Sequence, residues 1–356
     1  MTWTTKLYHL QTGEFVLELE PSAASWTATL TGRGSATHTI QLFDAGFSQS
    51  DIREFSKGNK YAITHQWGDH VAYAGVIQKN RYEMSGGRAL VIESKELRSA
   101  YFDSRLLYGV TEYTTTLAAL SVVNKSHSGA TRAVLIANMP NAGWELPIDL
   151  PSDGSGGFNA EWMHTERLNV EDHLAQIEAD GCEIDFRPYI DGGGFLRWET
   201  RVDDKIEGDA SAAIDTTGPD SPILDLEVQV DYSNQMTGAL GFGKGGAAAQ
   251  PENAVTVGTL DISVRDVWFE WQDITDSTRL AAATDALLAR TINPTEEWSF
   301  GLHIFPDGPE LAAPGNILNL VVAGDQFIPD DTYPQRVIAL KGDMGMIVTP
   351  EVQVGN

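Results

Sequence analysis

Tyr61-Ala62-Ile63-Thr64-His65-Gln66-Trp67-Gly68-Asp69, with Val71 to Gln78 beyond it, reads as two strands joined at a tight turn. Its residues alternate with the period of two of a half-buried strand, Gly68-Asp69 supplies the turn, and the chain returns as a hairpin partner. The same alternation extends outward. Phe15, Leu17 and Leu19 are interleaved with Glu18 and Glu20, and Trp26, Ala28 and Leu30 with Thr27, Thr29 and Thr31. His38, Ile40 and Leu42 face away from Thr37, Thr39 and Gln41, and Arg88 to Glu93 adds a further strand. Pro21-Ser22 and the group Gly32, Gly34, Ser35 punctuate the runs. Five or six short antiparallel strands closed by turns predict a small barrel or sandwich.

The middle of the chain reads differently. Residues 106–134 have mixed periodicity and suggest no definite element, and residues 149–157 are a loop by composition. Asn169 is placed as an N-cap with Asp172 in the acceptor position of a capping box, and Val170, Leu174 and Ile177 form one apolar face. Gly181 supplies the left-handed stop. Ile184 and Phe186 then begin a strand that turns at Asp191-Gly192-Gly193-Gly194 and returns through Leu196, Trp198, Thr200 and Val202, giving a helix on a hairpin. Residues 205–222 read as a link between two halves, 223–230 as a strand, and 238–250 as a glycine- and alanine-rich stretch with little packing capacity. A second helix is predicted over 275–289, with Leu280, Ala283 and Leu287 on one face. Strands follow at Trp298 to Ile304, Ile317 to Val322 and Arg336 to Leu340. Helix then strand thus occurs twice, a weak internal echo with no shared residue pattern.

The 356 residues are enough for two or three domains, and the composition is that of a globular protein. Lys+Arg 24 against Asp+Glu 50 leaves a net charge of −26. Nucleic-acid phosphates and anionic membrane surfaces repel such a chain. Cys182 stands alone, so neither an intrachain disulfide nor a multi-cysteine metal site is available. Residues 1–10 have no apolar core of the kind a signal peptide needs, and no window of 18 apolar residues predicts a membrane span. Synthesis in a reducing cytoplasm is the expectation.

No reactive constellation emerges. The eight histidines share no metal-ligand spacing; His164 and His173 are nine apart and read as surface or capping residues. Cys182 reads as a buried apolar thiol. Gly241-Phe242-Gly243-Lys244-Gly245-Gly246 has neither the spacing of a phosphate-binding loop nor a helix after it, and reads as a flexible loop. Asp203-Asp204 and Asp330-Asp331 lie outside any regular calcium loop and read as solvated surface. Trp26, Trp67, Trp198 and Trp298 sit on inward phases of strands, where core packing is expected rather than sugar stacking. Catalytic, cofactor-binding and metal residues are therefore all expected to be absent.

Three stretches carry a family resemblance. Ser25-Trp26-Thr27-Ala28-Thr29-Leu30-Thr31-Gly32-Arg33-Gly34-Ser35 is similar to an opening Trp–Leu–small–Gly strand and turn. Trp67-Gly68-Asp69-His70-Val71-Ala72-Tyr73-Ala74-Gly75-Val76-Ile77 is similar to a tryptophan, turn, tyrosine-alanine-glycine hairpin. Pro314-Gly315-Asn316 with Leu318 and Leu320, then Tyr333 to Gly342, is similar to a closing pair of barrel strands. In this order the elements resemble the tail-hub (baseplate-hub) proteins of long-tailed bacteriophages, particularly minor tail proteins of phages of actinobacteria. Asn316 departs from the family, which often has Asp after Pro-Gly.

The resemblance implies an α+β, strand-dominated, hub-like fold. It comprises two small β-barrels joined to helix-containing α/β segments: a barrel over 1–104, an α/β segment over 105–215 with its helix near 170–180, and a second barrel over 216–356 with a helix-containing insertion near 266–304. It implies a homotrimeric structural virion protein of the tail tip, without a catalytic site or cofactor. Such a hub joins the tail tube to the tip, and the distal tail protein, the tape-measure protein and tip proteins are its partners. DNA passes through its channel without specific binding, and the protein does not insert into membranes. A carbohydrate-binding or glycan-degrading β-rich protein and a distal-tail ring protein are the alternatives. The acid excess is expected either to line the channel in part or to serve only the solubility of the outer surface.

Overall fold

The computed structural model describes residues 2–42, 46–84, 88–107, 119–138, 145–208, 211–245, 250–257, 262–272, 274–304 and 308–354, with the backbone alone at His164. Seven strands open the chain: β1 (Trp3–His9), β2 (Phe15–Leu19), β3 (Ala23–Thr29), β4 (Ser35–Gln41), β5 (Tyr61–Trp67), β6 (His70–Glu83) and β7 (Ala89–Lys95). The β5–β6 hairpin forms at Gly68, whose φ of 61° is the left-handed turn that glycine adopts without a Cβ penalty. β5 is not half-buried as its alternation predicts; all seven of its residues are buried. The reason is that β5 and β6 form a wall shared by two cores. Ile63 and Ile77 enter one with Leu7, Leu19, Ile40, Leu90 and Ile92, closed by Phe55 of the helix Gln49–Phe55. Ala62, Ala74 and Val76 enter the other, among Leu174, Ile177, Ile184, Phe186 and Trp198.

Residues 106–134, which had no assignable period, hold β8 (Leu120–Lys125) and most of the helix His127–Asn138; residues 108–118 lie outside the described part. β9 (Ile148–Asp149) and β10 (Phe158–Trp162) follow. The helix Val170–Glu178 has the expected capping box, Asn169 accepting from the Asp172 amide at 2.8 Å and Asp172 from the Asn169 amide at 2.9 Å. Beyond it, β11 (Glu183–Ile190) and β12 (Leu196–Asp203) pair as the expected hairpin. The stretch expected to be a link, 205–222, instead contributes β13 (Ser211–Asp215). This strand pairs in parallel with a much later segment, a partnership that local composition does not encode.

The rest of the chain holds β14 (Ile223–Asp231), β15 (Gly238–Phe242), β16 (Glu252–Thr256), β17 (Asp266–Glu270), β18 (Thr295–His303), β19 (Ile317–Val322), β20 (Asp331–Gly342) and β21 (Ile347–Val354). Thirteen strands make one sheet, in the order β14-β18-β21-β20-β3-β4-β7-β6-β5-β1-β2, with β19 on β20 and β13 on β19. Among the described residues no sheet closes on itself, so the two small barrels of the sequence reading are replaced by this continuous sheet and three small ones. The joint is the antiparallel pairing of β20 with β3, which sets Leu340 opposite Ala28. Periodicity shows which face of each strand is buried, but it does not choose partners three hundred residues apart.

The chain divides into two compact units, Met1–Leu226 with Phe300–Asn356, and Glu227–Ser299. In the smaller unit β15 lies between β16 (antiparallel) and β17 (parallel), and the helix Ser277–Thr291 packs against β15 and β16. That helix buries Leu280, Thr284 and Leu288, not Ala283 and Leu287 as expected. Gly241 explains the shift: a Cβ there would lie 2.1 Å from Thr284 Oγ1, so the missing side chain makes room for threonine. The Thr284 hydroxyl donates within its own helix to Leu280 O at 2.8 Å.

Candidate functional site

The residues that could have carried chemistry are dispersed. His173 is buried against Trp162, ring centroids 5.0 Å apart, and burial lowers its pKa from the ordinary histidine value. The side chain of His164 lies outside the described residues. Cys182 is buried, and burial beside Glu178 pushes its thiol up to about 12, so it is not a thiolate at neutral pH. Of the glycine-rich stretch, Gly241 and Phe242 are strand residues of β15, and 246–249 lie outside the described part. The acidic pairs serve their own turns: Asp203 accepts the Asp204 amide at 2.8 Å, Asp330 the Gly324 amide at 2.6 Å and Asp331 the Thr332 amide at 2.7 Å. Among the described residues no three His, Cys, Asp or Glu side chains gather as a metal site would require. Trp26, Trp67, Trp198 and Trp298 are all buried, at 1–6% exposure, so none offers a platform for a sugar ring.

What the structure does bring together is a set of buried ionic joints that sequence reading did not find. Arg98, 1% exposed, donates to Glu171 at 2.5–3.1 Å, to Glu178 at 2.7 Å twice, and to the carbonyl of Ile184 at 2.8 Å. One guanidinium thus ties the short helix Leu97–Ala100 to the helix Val170–Glu178 and the start of β11. Arg336 on β20 pairs with Glu183 on β11 and donates to the carbonyl of Ile206, while Arg201 binds Asp185 at 2.5 Å. Glu96 accepts from the Thr29 hydroxyl at 2.9 Å and the Gly34 amide at 2.5 Å. Burial nevertheless pushes its carboxyl up to about 8. Arginine suits such joints because its fork matches two carboxylates at once. No local pattern announces them, since each partner is distant in sequence.

A second cluster joins the first strands to the last hairpin. The Trp3 indole N–H donates to Gly345 O at 2.7 Å and that of Trp26 to Asp343 O at 3.2 Å, while His65 stacks on Trp3 at 4.6 Å. His38 lies 6.0 Å from His65 with neither ring nitrogen hydrogen-bonded. Desolvation lowers His38 to about 3 and His65 to about 4, so both rings are neutral. Asn316 has a structural role of its own: its amide donates to Glu310 O at 2.7 Å and Leu311 O at 3.3 Å, bonds that a carboxylate cannot make.

The smaller unit carries adjacent exposed aromatic side chains. On β17, Trp268 is 67% and Phe269 51% exposed, with Asp266 and Glu270 exposed at the strand's two ends. In the large unit, a cleft of about 750 Å³ lies between the helix Gln49–Phe55 and the β6–β7 hairpin, edged by Arg53 and Arg88.

The fold is shared with solved tail proteins of prophages and with a type VI secretion component. No protein-family profile and no curated protein matches the sequence. Solved structures do match along the full length. The 43 kDa tail protein of prophage MuSo2 from Shewanella oneidensis superimposes with a TM-score of 0.61 at 12% identity, covering 98% of this chain and 97% of that one. The tail protein from Neisseria meningitidis MC58 gives 0.56 at 12% identity, over 99% and 96%. The E. coli c3393 protein gives 0.51 at 9% identity, over 99% and 77%. It is a type VI secretion component with structural similarity to the T4 tail proteins gp27 and gp5.

Proposed function

We propose that this chain is the tail hub of a long-tailed phage or prophage: a structural, non-enzymatic virion protein joining the tail tube to the tip and surrounding the DNA exit path. The observation that carries this reading is the end-to-end match to the prophage MuSo2 tail protein, which leaves almost none of either chain unaccounted for. In this reading three copies form the hub, and their strand-rich halves give pseudo-sixfold geometry against a sixfold tube. Neighbouring subunits would cover exposed strand edges of the large unit. The distal tail protein, the tape-measure protein and tip proteins are its partners, and the three quoted sequence stretches favour a phage of actinobacteria. Three copies, each at −26, carry −78 together. Acids on the channel wall would keep a hydrated gap around passing DNA, acting over about 10 Å at 0.1 M salt. Immunogold labelling of purified particles tests the assignment: label at the tail end is expected, and label on the capsid, or none on intact particles, contradicts it.

A further inference from the structure

In the smaller unit, the helix Ser277–Thr291 packs against β15 and β16 and leaves β17 open to solvent. The register Leu240↔Trp268 and Leu240↔Ala254 puts Trp268 on the sheet face turned away from that helix, and Phe242 lies beside it with ring centroids 6.4 Å apart. Phe269 is on the opposite face, next to Trp271 at 4.9 Å. Along its length β17 bonds only to β15, and no other described strand pairs with its outer row of N–H and C=O groups. A strand with an exposed aromatic on each face and an open edge is one that other chains pair with.

The flanking charges say which chain. Asp266 and Glu270 bracket the two aromatics, and Glu252 is exposed on β16. The adjacent Arg265 is turned to other partners, its guanidinium donating to the carbonyls of Tyr232 at 2.9 Å and Ser233 at 2.7 Å. Residues 227–299 hold 11 acidic against 4 basic side chains, a net −7. A second copy is the wrong occupant. Antiparallel pairing centred on Trp268 would set Asp266 of each copy against Glu270 of the other, and parallel pairing would set each acid against itself. Like charges directly opposite destabilise a pair of strands, so the acids act against self-pairing.

We propose that the free edge of β17 takes up an extended, basic segment of another tail protein. Lys or Arg would lie opposite Asp266 and Glu270, and an apolar middle would lie against Trp268 and Phe269. Cations beside the exposed indole add attraction to its face. The inference rests on the tail-hub reading. Its test compares amide hydrogen exchange in the full chain, free and within purified tails, with zero-length carbodiimide coupling of carboxylates to amines in the same tails. Amides of 266–270 should exchange about tenfold or more slowly in tails. Asp266 or Glu270 should couple to a lysine of a different protein. The variant D266K/E270K, folded by circular dichroism, should lose both effects. Absence of the chain from tails would overturn the hub reading and this inference together. Presence with unslowed amides, coupling to another copy of this chain, or unchanged protection in the variant would overturn the inference alone.

Discussion

Replacing Arg98 by Met is the most informative single perturbation of the large unit. The guanidinium makes five contacts with two carboxylates and one with a carbonyl. Glu171 is 5% exposed at its side chain, and its other partner, Arg33, is 48% exposed. Met fills most of the arginine stem's volume, so the cost isolates the charge: Glu171 and the Ile184 carbonyl lose a buried donor. Removing one partner of a buried pair costs about 3–5 kcal/mol. For a domain of this size that is roughly 6–20 °C in Tm, at about 2–4 °C per kcal/mol. The double variant R98M/E171M removes both ends, because Arg33 can turn to solvent and Glu178, 25% exposed, can reach water. It should recover about 2 kcal/mol or more relative to the sum of the two single changes. Urea unfolding followed by tryptophan emission reads all three. An R98M variant as stable as the parent, or strictly additive costs, would refute the view that this joint holds the helices to the hairpin.

Three further changes follow from the buried titratable and polar groups. His38 at about 3 binds no proton when folded, whereas the unfolded ring titrates at 6.5, so its stabilisation is complete above 6.5 and is lost as pH falls towards 3. His38→Phe should therefore lose about 2–3 kcal/mol less than the parent between pH 7.5 and 4.5; an unchanged difference in urea midpoints contradicts this. Glu96 has the opposite sign: its folded carboxyl holds the proton to about 8, so stability falls as pH rises from 4.5 to 8. Glu96→Gln should gain about 3 kcal/mol on the parent between pH 5 and 8 in the same assay, and parallel pH curves would rule it out. Asn316→Asp places a carboxylate against two carbonyls and should cost about 2–3 kcal/mol at pH 7, measured by thermal unfolding; a Tm equal to the parent's would show that the amide bonds are dispensable.

Much of the local structure is legible in the sequence because its determinants are local. The capping box of Asn169 and Asp172 and the β11–β12 hairpin around its glycine turn each depend on residues within a few positions of one another. The helix Gln49–Phe55 carries an equally readable box, Ser48 with Asp51, that the strand-rich surroundings masked. What periodicity misreads are places where the tertiary environment overrides it. β5 is buried on both sides, its polar Thr64 and Gln66 bonded to one another and Gln66 also to Tyr8, and β13 is recruited from a stretch of linker-like composition. The buried arginines are invisible for the same reason. Nothing in Leu97-Arg98-Ser99 distinguishes Arg98 from a surface residue until Glu171 and Glu178 arrive from seventy or eighty residues away. β17 is not legible either: its consecutive Val267, Trp268 and Phe269 break the period of two that reveals a half-buried strand.

The central claim is a three-copy hub at the tail end, and the number of copies per tail tests it most directly. Quantitative mass spectrometry of purified tails, normalised to the hexameric rings of the tube, reads that number without requiring the isolated chain to oligomerise. Three copies per tail is the result this account predicts. Six copies would place the chain among ring proteins instead, and one copy would remove the proposed pseudo-sixfold match to the tube.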